Sequence, residues 1–550
     1  MPRYYQGGVG TTRKRASRKG PVHKARPQVT HVDDTFVRTL LRPAAFDHPA
    51  DDVELVETHI SWVILAGEFA YKIKKPMVLD FLDFGTLEKR KFCCEEEIRL
   101  NRPWAPDVYV DVVPVTERIG QPHFGGDGEA LEYAVRMRRF DQALRLDEQL
   151  TAGLLTVADM KELGRNIADR HAAADVAPVS ERERLVEQAK RFVRENFMHL
   201  DSVIDQDLFE FLQNWTEQQL ETLDKRLWQR FDEGFVRDCH GDLHLGNLVR
   251  LEDGITTFDC IEFNRDLRFT DVFADVGFLT MDLVDKGRRD LAAHFVNRYL
   301  ECSGDYAGVV LHDFYFIYRC LVRAKVAAIR SRERESEQER NADIAEARDY
   351  CEIARRQATK GPRALVIMSG LSGSGKSWVS ERLMAELPAI RLRSDTERKR
   401  LFGLGETTQS GSGIATGIYT AEATAKTYER LFELAGEIFA SGHHVILDAA
   451  FLKSAQRNAA RLVATRAGCE PVLLHVRAST EVLRARLRQR ASVKGEVSEA
   501  DLDVLEHQLM TIEAITPEEV AIDVDNMTAV DIKAVATSIR ERARNLQPAT

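Results

Sequence analysis

GLSGSGKS, from Gly370 to Ser377, fits the pattern G-x-x-x-x-G-K-[ST] and decides the fold of the downstream part of this chain. The apolar run ALVIMS precedes it and is expected to form a buried strand, and the run WVSERLMAEL that follows has the spacing of an amphipathic helix. A glycine-rich loop between a strand and a helix lets backbone N–H groups close around a polyphosphate, and the helix N-terminus adds positive potential. The flanking elements therefore favour a nucleoside triphosphate site over a chance glycine-rich turn.

The positions of this loop have separate expected roles. Lys376 is expected to reach the β- and γ-phosphates, and the Ser377 hydroxyl is expected to hold Mg²⁺. The loop itself should surround the phosphates with the backbone of Gly370, Ser372, Gly373, Ser374 and Gly375. ATP and Mg²⁺ are thus the predicted cofactors.

Strand-like and helix-like stretches alternate from residue 363 onward, which predicts a P-loop domain with a parallel sheet flanked by helices. Asp395 and Asp448 end the second and third expected strands, at the sheet edge where ligands bind. Asp448 is the expected Mg²⁺ ligand beside Ser377, although either Asp alone could be a helix N-cap. The strands are expected at residues 364–369, 389–394, 444–448, 471–476 and 519–524.

Two arginines near the end of this domain are candidates for a catalytic lid. Arg486 and Arg490 are four residues apart in LRARLRQR, just before the loop ASVKGEVS. On a helix they face the same way and could offer positive charge to a phosphoryl group in transfer. A solvated basic face is the equally open alternative.

A second signature lies at residues 240–247. The stretch reads HGDLHLGN and matches the catalytic-loop pattern H-x-D-L-x-x-x-N, and Asp259 follows on a strand-like run. In kinase-type phosphoryl transfer, Asp242 would accept the proton of the attacking hydroxyl, and Asn247 and Asp259 would hold Mg²⁺. A single Asp in a loop is commonly a turn residue, but the joint spacing favours a site.

The segment ahead of this motif supplies candidates for a lysine that grips phosphates. HISWVIL and FAYKIKK suggest a β-hairpin, and Lys72 and Lys74 then lie on one face of its second strand. Lys72 is the first choice because Ala70-Tyr71-Lys72 reproduces A-x-K, with Lys74 an open rival. Glu97, in the next helix-like stretch, is its expected partner.

These patterns divide the chain into four segments of a mixed α/β and α+β multidomain protein. Residues 1–30 hold eight Lys and Arg and no acid, and they are expected to form a disordered basic tail. Residues 31–330, called the upstream domain below, have the plan of a two-lobed, protein-kinase-like domain. Residues 331–362 are expected to be an exposed, charged helical linker. Residues 363–550 are the P-loop domain, called the downstream domain below.

Composition narrows the function classes. The 550 residues are 44% hydrophobic and 30% charged, as in soluble globular proteins, and no apolar stretch approaches the length of a membrane span. The net charge is −10, and the acid excess outside the tail disfavours nonspecific nucleic-acid binding. Eight cysteines form no C-x-x-C pair, which fits a reducing cytoplasm. The oligomeric state is left open.

The upstream domain resembles the aminoglycoside phosphotransferase and choline-kinase-like branch of the kinase fold. The resemblance rests on HGDLHLGN together with Asp259. Gly241 stands where protein kinases carry Arg, and Cys260-Ile261-Glu262 follows Asp259 where they carry Phe-Gly. The resemblance implies that the acceptor is a small hydroxylated molecule.

The downstream domain looks like the predicted-kinase group of P-loop proteins, near the zeta-toxin, gluconate-kinase and polynucleotide-kinase families. Asp395 and Arg398 resemble the D-x-x-R of polynucleotide 5′-kinases, which implies that Asp395 activates the acceptor hydroxyl and Arg398 binds substrate. As a whole, the chain is similar to bacterial bifunctional proteins that join an aminoglycoside phosphotransferase-like domain to an ATP-binding domain.

The resulting hypothesis is a cytoplasmic phosphotransferase with two nucleotide sites that uses ATP and Mg²⁺ to phosphorylate hydroxyls of small molecules. One alternative is a regulatory ATP-binding protein with a non-catalytic kinase-like domain, against which Asp242, Asn247 and Asp259 speak. The other is a kinase for nucleic-acid 5′-hydroxyls, which the acidic body disfavours but Arg398 and the basic tail keep open.

Overall fold

The computed structural model describes residues 32–79, 82–359, 361–406, 408–413, 416–469, 471–490, 499–527 and 529–545. The expected basic tail at residues 1–30 and the loop at residues 491–498 lie outside the described residues.

The first lobe of the upstream domain is built on an antiparallel sheet. Its elements are α1 (Asp34–Thr39), β1 (Val53–Glu57), β2 (Ser61–Ala66), β3 (Phe69–Lys74), β4 (Val78–Leu79), β5 (Leu82–Asp83), α2 (Leu87–Asn101), β6 (Tyr109–Arg118), β7 (Gln121–Phe124) and β8 (Glu132–Arg138). The six-stranded sheet has the order β1-β2-β3-β8-β6-β7. The expected hairpin is present, because β2 and β3 pair around Gly67, whose φ of 56° favours glycine. Helix α2 packs on β6 and β8.

The second lobe is mainly helical. Its elements are α3 (Leu146–Thr151), α4 (Val157–Ala173), α5 (Arg182–Glu195), α6 (Gln206–Asp232), β9 (Val236–Asp238), β10 (Leu248–Leu251), β11 (Gly254–Thr257), α7 (Arg265–Arg268), β12 (Phe269–Asp271), α8 (Phe273–Asp285), α9 (Arg289–Ser303), α10 (His312–Glu333) and α11 (Glu337–Ala358). Residues 270–302 look continuous in the sequence, but Gly287, with a φ of 75°, separates α8 from α9.

Helix α11 corrects the expectation of an exposed linker at residues 331–362. It packs along α10, and Ala347, Cys351 and Ala354 are fully buried between them. These side chains are small, so the sequence shows no large apolar stripe although one helix face is covered. The segment is helical as expected, but it is part of the packed structure.

The downstream domain has a parallel five-stranded sheet with helices on both faces, which confirms the expected fold class. Its strand order is β14-β15-β13-β16-β17, so β14 is an edge strand. The elements are β13 (Leu365–Ser369), α12 (Lys376–Glu386), β14 (Ala389–Arg393), α13 (Ser394–Leu401), α14 (Ala421–Ala440), β15 (His444–Asp448), α15 (Ser454–Arg466), β16 (Val472–Arg477), α16 (Thr480–Arg490), α17 (Leu502–Thr511), β17 (Ile522–Asp525) and α18 (Ile532–Asn545).

The apolar core continues from one domain into the other. Val309 and Leu311 of the upstream domain belong to the same buried cluster as Leu431 and Leu434 of α14. Within the described residues, no helix combines the length and the apolar character needed to cross a membrane.

Candidate active sites

Two buried lysines of β3 share one glutamate of α2. Lys72 Nζ lies 3.0 Å from Glu97 Oε1, and Lys74 Nζ lies 2.7 Å from Glu97 Oε2. The sharing follows from strand geometry, because side chains two positions apart leave the same face. Burial disfavours the charged form of Glu97, but Lys72 and Lys74 outweigh burial and hold the pKa of Glu97 at about 2. The carboxylate therefore stays ionised and fixes both ammonium groups.

The second partner of each lysine separates their roles. Lys72 also contacts the carboxylate of Asp259, whose side chain is 43% exposed, whereas Lys74 contacts the buried Glu262. Burial alone would lower the pKa of Lys72, but Asp259 and Glu97 raise it well above its usual value. Lys72 therefore lies at the cleft with its charge secured, and Lys74 belongs to the core behind it. The geometry favours Lys72 over Lys74 as the phosphate-gripping residue.

The catalytic-loop motif brings Asp242, Asn247 and His244 together. Asn247 Nδ2 donates to the Asp242 carboxylate and to the Asp242 carbonyl, both at 3.0 Å, which leaves Asn247 Oδ1 as an acceptor. His244 Nε2 lies 3.4 Å from Asp242 Oδ2. Burial acts to raise the pKa of Asp242, but the His244 imidazole outweighs burial and the net pKa is lowered. Asp242 is therefore ionised at neutral pH.

Asp259 is held in a left-handed backbone conformation. Its φ is 61°, and such a conformation costs a non-glycine residue about 1–3 kcal/mol. The Asp259 N–H donates to Tyr109 Oη at 2.9 Å, and the next N–H, that of Cys260, donates to Asn101 Oδ1 at 2.9 Å. These two bonds hold the turn that aims Asp259 at Lys72. The expectation that Asp259 lies on a strand is wrong, because β11 ends at Thr257.

The catalytic loop rests on residues that the sequence patterns missed. Asp275 of α8 accepts from the backbone N–H groups of His240 at 2.8 Å and Gly241 at 3.0 Å. His171 Nε2 lies 3.3 Å from the same carboxylate. Gly241 has a φ of 81°, and a Cβ there would meet Leu267 O at 3.2 Å, which explains glycine at this place. Asp275 lies 33 residues beyond Asp242, outside any short motif, so only a known fold could have pointed to it.

The downstream loop has the backbone shape that phosphate binding needs. Gly370, Gly373 and Gly375 have φ values of 152°, 81° and 92°. A Cβ at Gly370 would meet Val476 O at 2.4 Å, and one at Gly375 would meet Asn526 Nδ2 at 2.0 Å. Both glycines are therefore required by close packing as well as by φ.

Lys376 closes the loop on itself. Its Nζ donates to Gly370 O at 2.8 Å and to Leu371 O at 3.0 Å. Burial lowers the pKa of Lys376 to about 8, although the carboxylates of Asp448 and Asp395 act in the opposite direction. Both carboxylates are thus close enough to act on the Lys376 charge, as their expected places at one sheet edge require.

The residues expected to hold Mg²⁺ lie on neighbouring segments in each domain. In the downstream domain, Ser377 Oγ lies 3.4 Å from Asp448 Oδ1, and Ser380 Oγ donates to Asp448 Oδ2 at 2.8 Å. In the upstream domain, the N–H of Phe258, next to Asp259, donates to Asn247 O at 3.0 Å, so the residues that carry the amide and the carboxylate lie on neighbouring segments. Hard oxygen donors of this kind suit Mg²⁺, which completes its shell with water and phosphate oxygens. Both donor sets therefore fit the ion.

Asp395 and Arg398 lie one helical turn apart in α13. Asp395 lies in the first turn of α13, whose N-cap is Arg393, and Asp448 is the last residue of β15. The N-cap alternative is therefore wrong for both aspartates. Arg398 is buried, and its Nη1 donates to Ile418 O at 3.0 Å and to Thr424 Oγ1 at 3.3 Å. Arg398 thus holds the segment that leads into α14, and its contact with substrate stays a prediction.

Arg486 and Arg490 differ in what they contact. Arg486 donates to the loop carbonyls of Gly373 and Ser374, both at 3.3 Å, and to Asn526 O at 2.8 Å. Arg490 contacts the carbonyl of Ala500, and its charge acts on Lys376. A solvated basic face therefore does not describe Arg486, which supports the phosphate loop from outside.

Two further residues fix the loop and were missed from the sequence. Asn526 Nδ2 donates to Ser374 O at 2.8 Å, and Gln508 Oε1 accepts from Ser372 N at 2.8 Å. Both lie more than a hundred residues beyond the loop, so no spacing rule links them to it.

Two family models match separate parts of the chain. Residues 123–311 match a model described as a phosphotransferase enzyme family, and residues 365–515 match a model described as an AAA domain. This order of a kinase-like phosphotransferase domain and a P-loop domain confirms the expected resemblance.

Two solved structures illustrate the range of similar proteins. An ethanolamine kinase of Plasmodium vivax is 12% identical, covers 56% of this chain and 84% of its own chain, and has a TM-score of 0.36. A sugar kinase of Janibacter sp. HTCC2649 is 22% identical, covers 34% of this chain and 100% of its own chain, and has a TM-score of 0.27.

Uncharacterized proteins of mycobacteria match over most of the chain. One from Mycobacterium tuberculosis H37Rv and one from Mycobacterium bovis are each 30% identical over 458 residues, which cover 82% of this chain and 89% of each relative. The chain therefore belongs to the family of these mycobacterial proteins, with a kinase-like phosphotransferase domain followed by a P-loop domain.

Proposed function

We propose that the chain is a cytoplasmic kinase with two sites, each of which transfers the γ-phosphoryl group of ATP to a hydroxyl of a small molecule. The observation that carries the proposal is the joint presence of two complete residue sets. In the upstream domain Lys72 contacts Asp259, Asn247 donates to Asp242, and the N–H of Phe258, next to Asp259, donates to Asn247 O. In the downstream domain Ser377 lies beside Asp448, whose charge acts on Lys376. Each set contains a lysine for phosphates and oxygen donors for a metal ion.

In the upstream site, Lys72 would bind phosphate oxygens while Glu97 keeps it in place. Asn247 and Asp259 would hold Mg²⁺, which neutralises phosphate charge when bound. Asp242 would accept the proton of the attacking hydroxyl, and Asn247 and His244 orient its carboxylate. A domain that only binds nucleotide has no need of an ionised Asp242 positioned in this way, so the geometry favours turnover.

In the downstream site, Lys376 would leave the loop carbonyls and bind the β- and γ-phosphates. Ser377 and Asp448 would hold Mg²⁺. Asp395 would accept the acceptor proton, and Arg490 would add positive charge during transfer. Arg486 would keep the loop in shape, since its guanidinium already binds the loop carbonyls.

The proposal is tested by acceptor-dependent ADP release from the full chain with Mg-ATP. The acceptor panel contains sugars, aminoglycosides, nucleosides and 5′-hydroxyl oligonucleotides. Each active acceptor is then assigned with Asp242→Asn and Asp395→Asn, one of which should remove its signal. Release with oligonucleotides alone would favour the nucleic-acid kinase. No acceptor-dependent release, together with retained ATP binding, would favour the regulatory protein.

A further inference from the structure

Helix α9 of the upstream domain completes the sheet of the downstream domain. Strand β14 is the sheet edge, and its backbone pairs with the side chain of Asn297. Asn297 Nδ2 donates to Ala389 O at 2.9 Å, and Asn297 Oδ1 accepts from Arg391 N at 2.7 Å. The buried side-chain amide of Asn297, from the other domain, thus pairs with two backbone groups of this edge strand.

One turn further along α9, Glu301 binds Arg391, which in turn reaches the residue next to the phosphate lysine. Arg391 Nη2 donates to Glu301 Oε1 at 2.8 Å, and Arg391 Nη1 reaches Ser377 O at 3.5 Å. Burial opposes the charge of Glu301, but Arg391 and Arg393 outweigh burial and hold its pKa at about 2. The pair is therefore ionic, buried, and in contact with the residue expected to hold Mg²⁺.

A second ion pair ties α9 to the acceptor side of the downstream site. Arg298 donates to Glu406 through Nη1 at 2.8 Å and approaches it through Nη2 at 2.7 Å. Glu406 follows α13, the helix that carries Asp395. Both ends of the α13 segment are thus held by α9.

The opposite face of α9 reaches the catalytic loop of the upstream domain. Tyr299 Oη lies 3.1 Å from His171 Nδ1, and His171 Nε2 lies 3.3 Å from Asp275. Asp275 in turn accepts from the backbone of His240 and Gly241. Residues 297 and 301 share one helix face and residue 299 lies on the other, as helical periodicity requires.

We propose that α9 is a positioning element shared by both sites, so that nucleotide at one site changes nucleotide affinity at the other. The inference rests on the proposed function. A buried ion pair is costly to break from one side, so Arg391 cannot shift with Ser377 unless Glu301 and α9 shift too. The same helix fixes His171 and Asp275, so the shift is felt at Gly241. Coupling of this kind is reciprocal and typically 5–150-fold.

The test is equilibrium titration of the full chain with the Mg²⁺ complex of AMP-PNP, an ATP analogue that is not hydrolysed. Asp259→Ala removes the upstream site, and Lys376→Ala removes the downstream site. The number of molecules bound by these proteins tests the proposed function. The affinities test the coupling. The wild-type isotherm should depart from the sum of the two single-site isotherms, because one of its two dissociation constants should differ at least about fivefold from that of the matching single-site variant.

Variants on α9 should remove this departure. Glu301→Gln and Tyr299→Phe cut the path at either face, and each should bring the isotherm back to the sum of independent sites. Asp290→Asn is the matched control, because Asp290 lies in the first turn of α9 and pairs with the neighbouring Arg288, away from the contacts of Asn297, Tyr299 and Glu301. It should keep the departure. Unfolding temperatures of all variants are measured alongside, and Tyr299→Phe decides the result if Glu301→Gln does not fold.

Two results would overturn the proposal. One is a wild-type isotherm that equals the sum of the single-site isotherms. The other is a departure that does not follow these contacts of α9, because it persists in folded Glu301→Gln or Tyr299→Phe or disappears in Asp290→Asn.

Discussion

The two sites place their phosphate lysines in opposite electrostatic surroundings. Lys72 lies between Glu97 and Asp259, which raise its pKa well above the usual value. Lys376 is buried against carbonyl oxygens of its own loop, and burial lowers its pKa to about 8. The upstream lysine is thus charged and fixed before nucleotide arrives. The downstream lysine is a cation below about pH 8, and a phosphate that replaced the carbonyls would stabilise its charge further.

The two sites hold their phosphate-binding lysines in different ways. The upstream site holds its lysine with side chains from three separate stretches, those of Lys72, Glu97 and Asp259, so its geometry depends on how these stretches pack. A P-loop uses one contiguous stretch, so its geometry depends on glycine conformation and on close packing at Gly370 and Gly375. Damage to packing should therefore disturb the first site more than the second.

The largest expected effect is on the upstream base. Asp242→Asn should lower kcat by about 10²–10⁴-fold while Mg-ATP affinity is kept, because the base acts on the acceptor and not on the nucleotide. Steady-state kinetics with an upstream acceptor, together with nucleotide titration, measure both quantities. Asp253→Asn is the matched control, since Asp253 is exposed in the turn between β10 and β11. A parallel loss of ATP affinity in Asp242→Asn would contradict the assigned role.

The corresponding change in the downstream domain is Asp395→Asn. If Asp395 is the general base, the substitution should lower kcat for the downstream acceptor by about 10²–10⁴-fold and leave nucleotide affinity unchanged. If Asp395 only stabilises the first turn of α13, the substitution should cost about 0.3–1 kcal/mol of helix stability and leave kcat unchanged. Asp503→Asn, in the first turn of α17, is the control for that helix term. Normal turnover by Asp395→Asn would show that Asp395 is not the general base of the downstream site.

A smaller expected effect is a difference between the two sites in the pH dependence of nucleotide affinity. Lys376 binds phosphate as a cation, and its pKa is about 8 in the free protein. Nucleotide affinity at the downstream site should then be flat below pH 8 and fall by up to about tenfold per pH unit above it. The pKa of Lys72 is raised, so the upstream site should stay flat through the same range. Titration of Asp259→Ala and Lys376→Ala at several pH values isolates each site, and identical profiles would contradict the electrostatic contrast.

The parts of the sites that lie in short motifs could be predicted from the sequence. The loop from Gly370 to Ser377, the group of Asp242 and Asn247, and the strand that ends at Asp448 follow local rules of spacing and periodicity. The hairpin placed Lys72 and Lys74 on one face, but period two cannot choose between them. Only the tertiary contacts with Asp259 and Glu262 do so.

The supporting residues could not be predicted because their partners are distant in sequence. Asp275, Asn526 and Glu301 act through hydrogen bonds to segments 34 to 152 residues away. The buried face of α11 could not be predicted for another reason, because it is lined by small side chains such as Ala347 and Cys351. Such faces carry little hydrophobic signal even when a neighbouring helix covers them.

The most direct test of two separate nucleotide sites is the number of Mg²⁺–AMP-PNP molecules bound per full-length chain. Two molecules are expected for the wild-type chain, one each for Asp259→Ala and Lys376→Ala, and none for the double variant. One molecule bound by the wild-type chain, or undiminished binding by the double variant, would contradict the account.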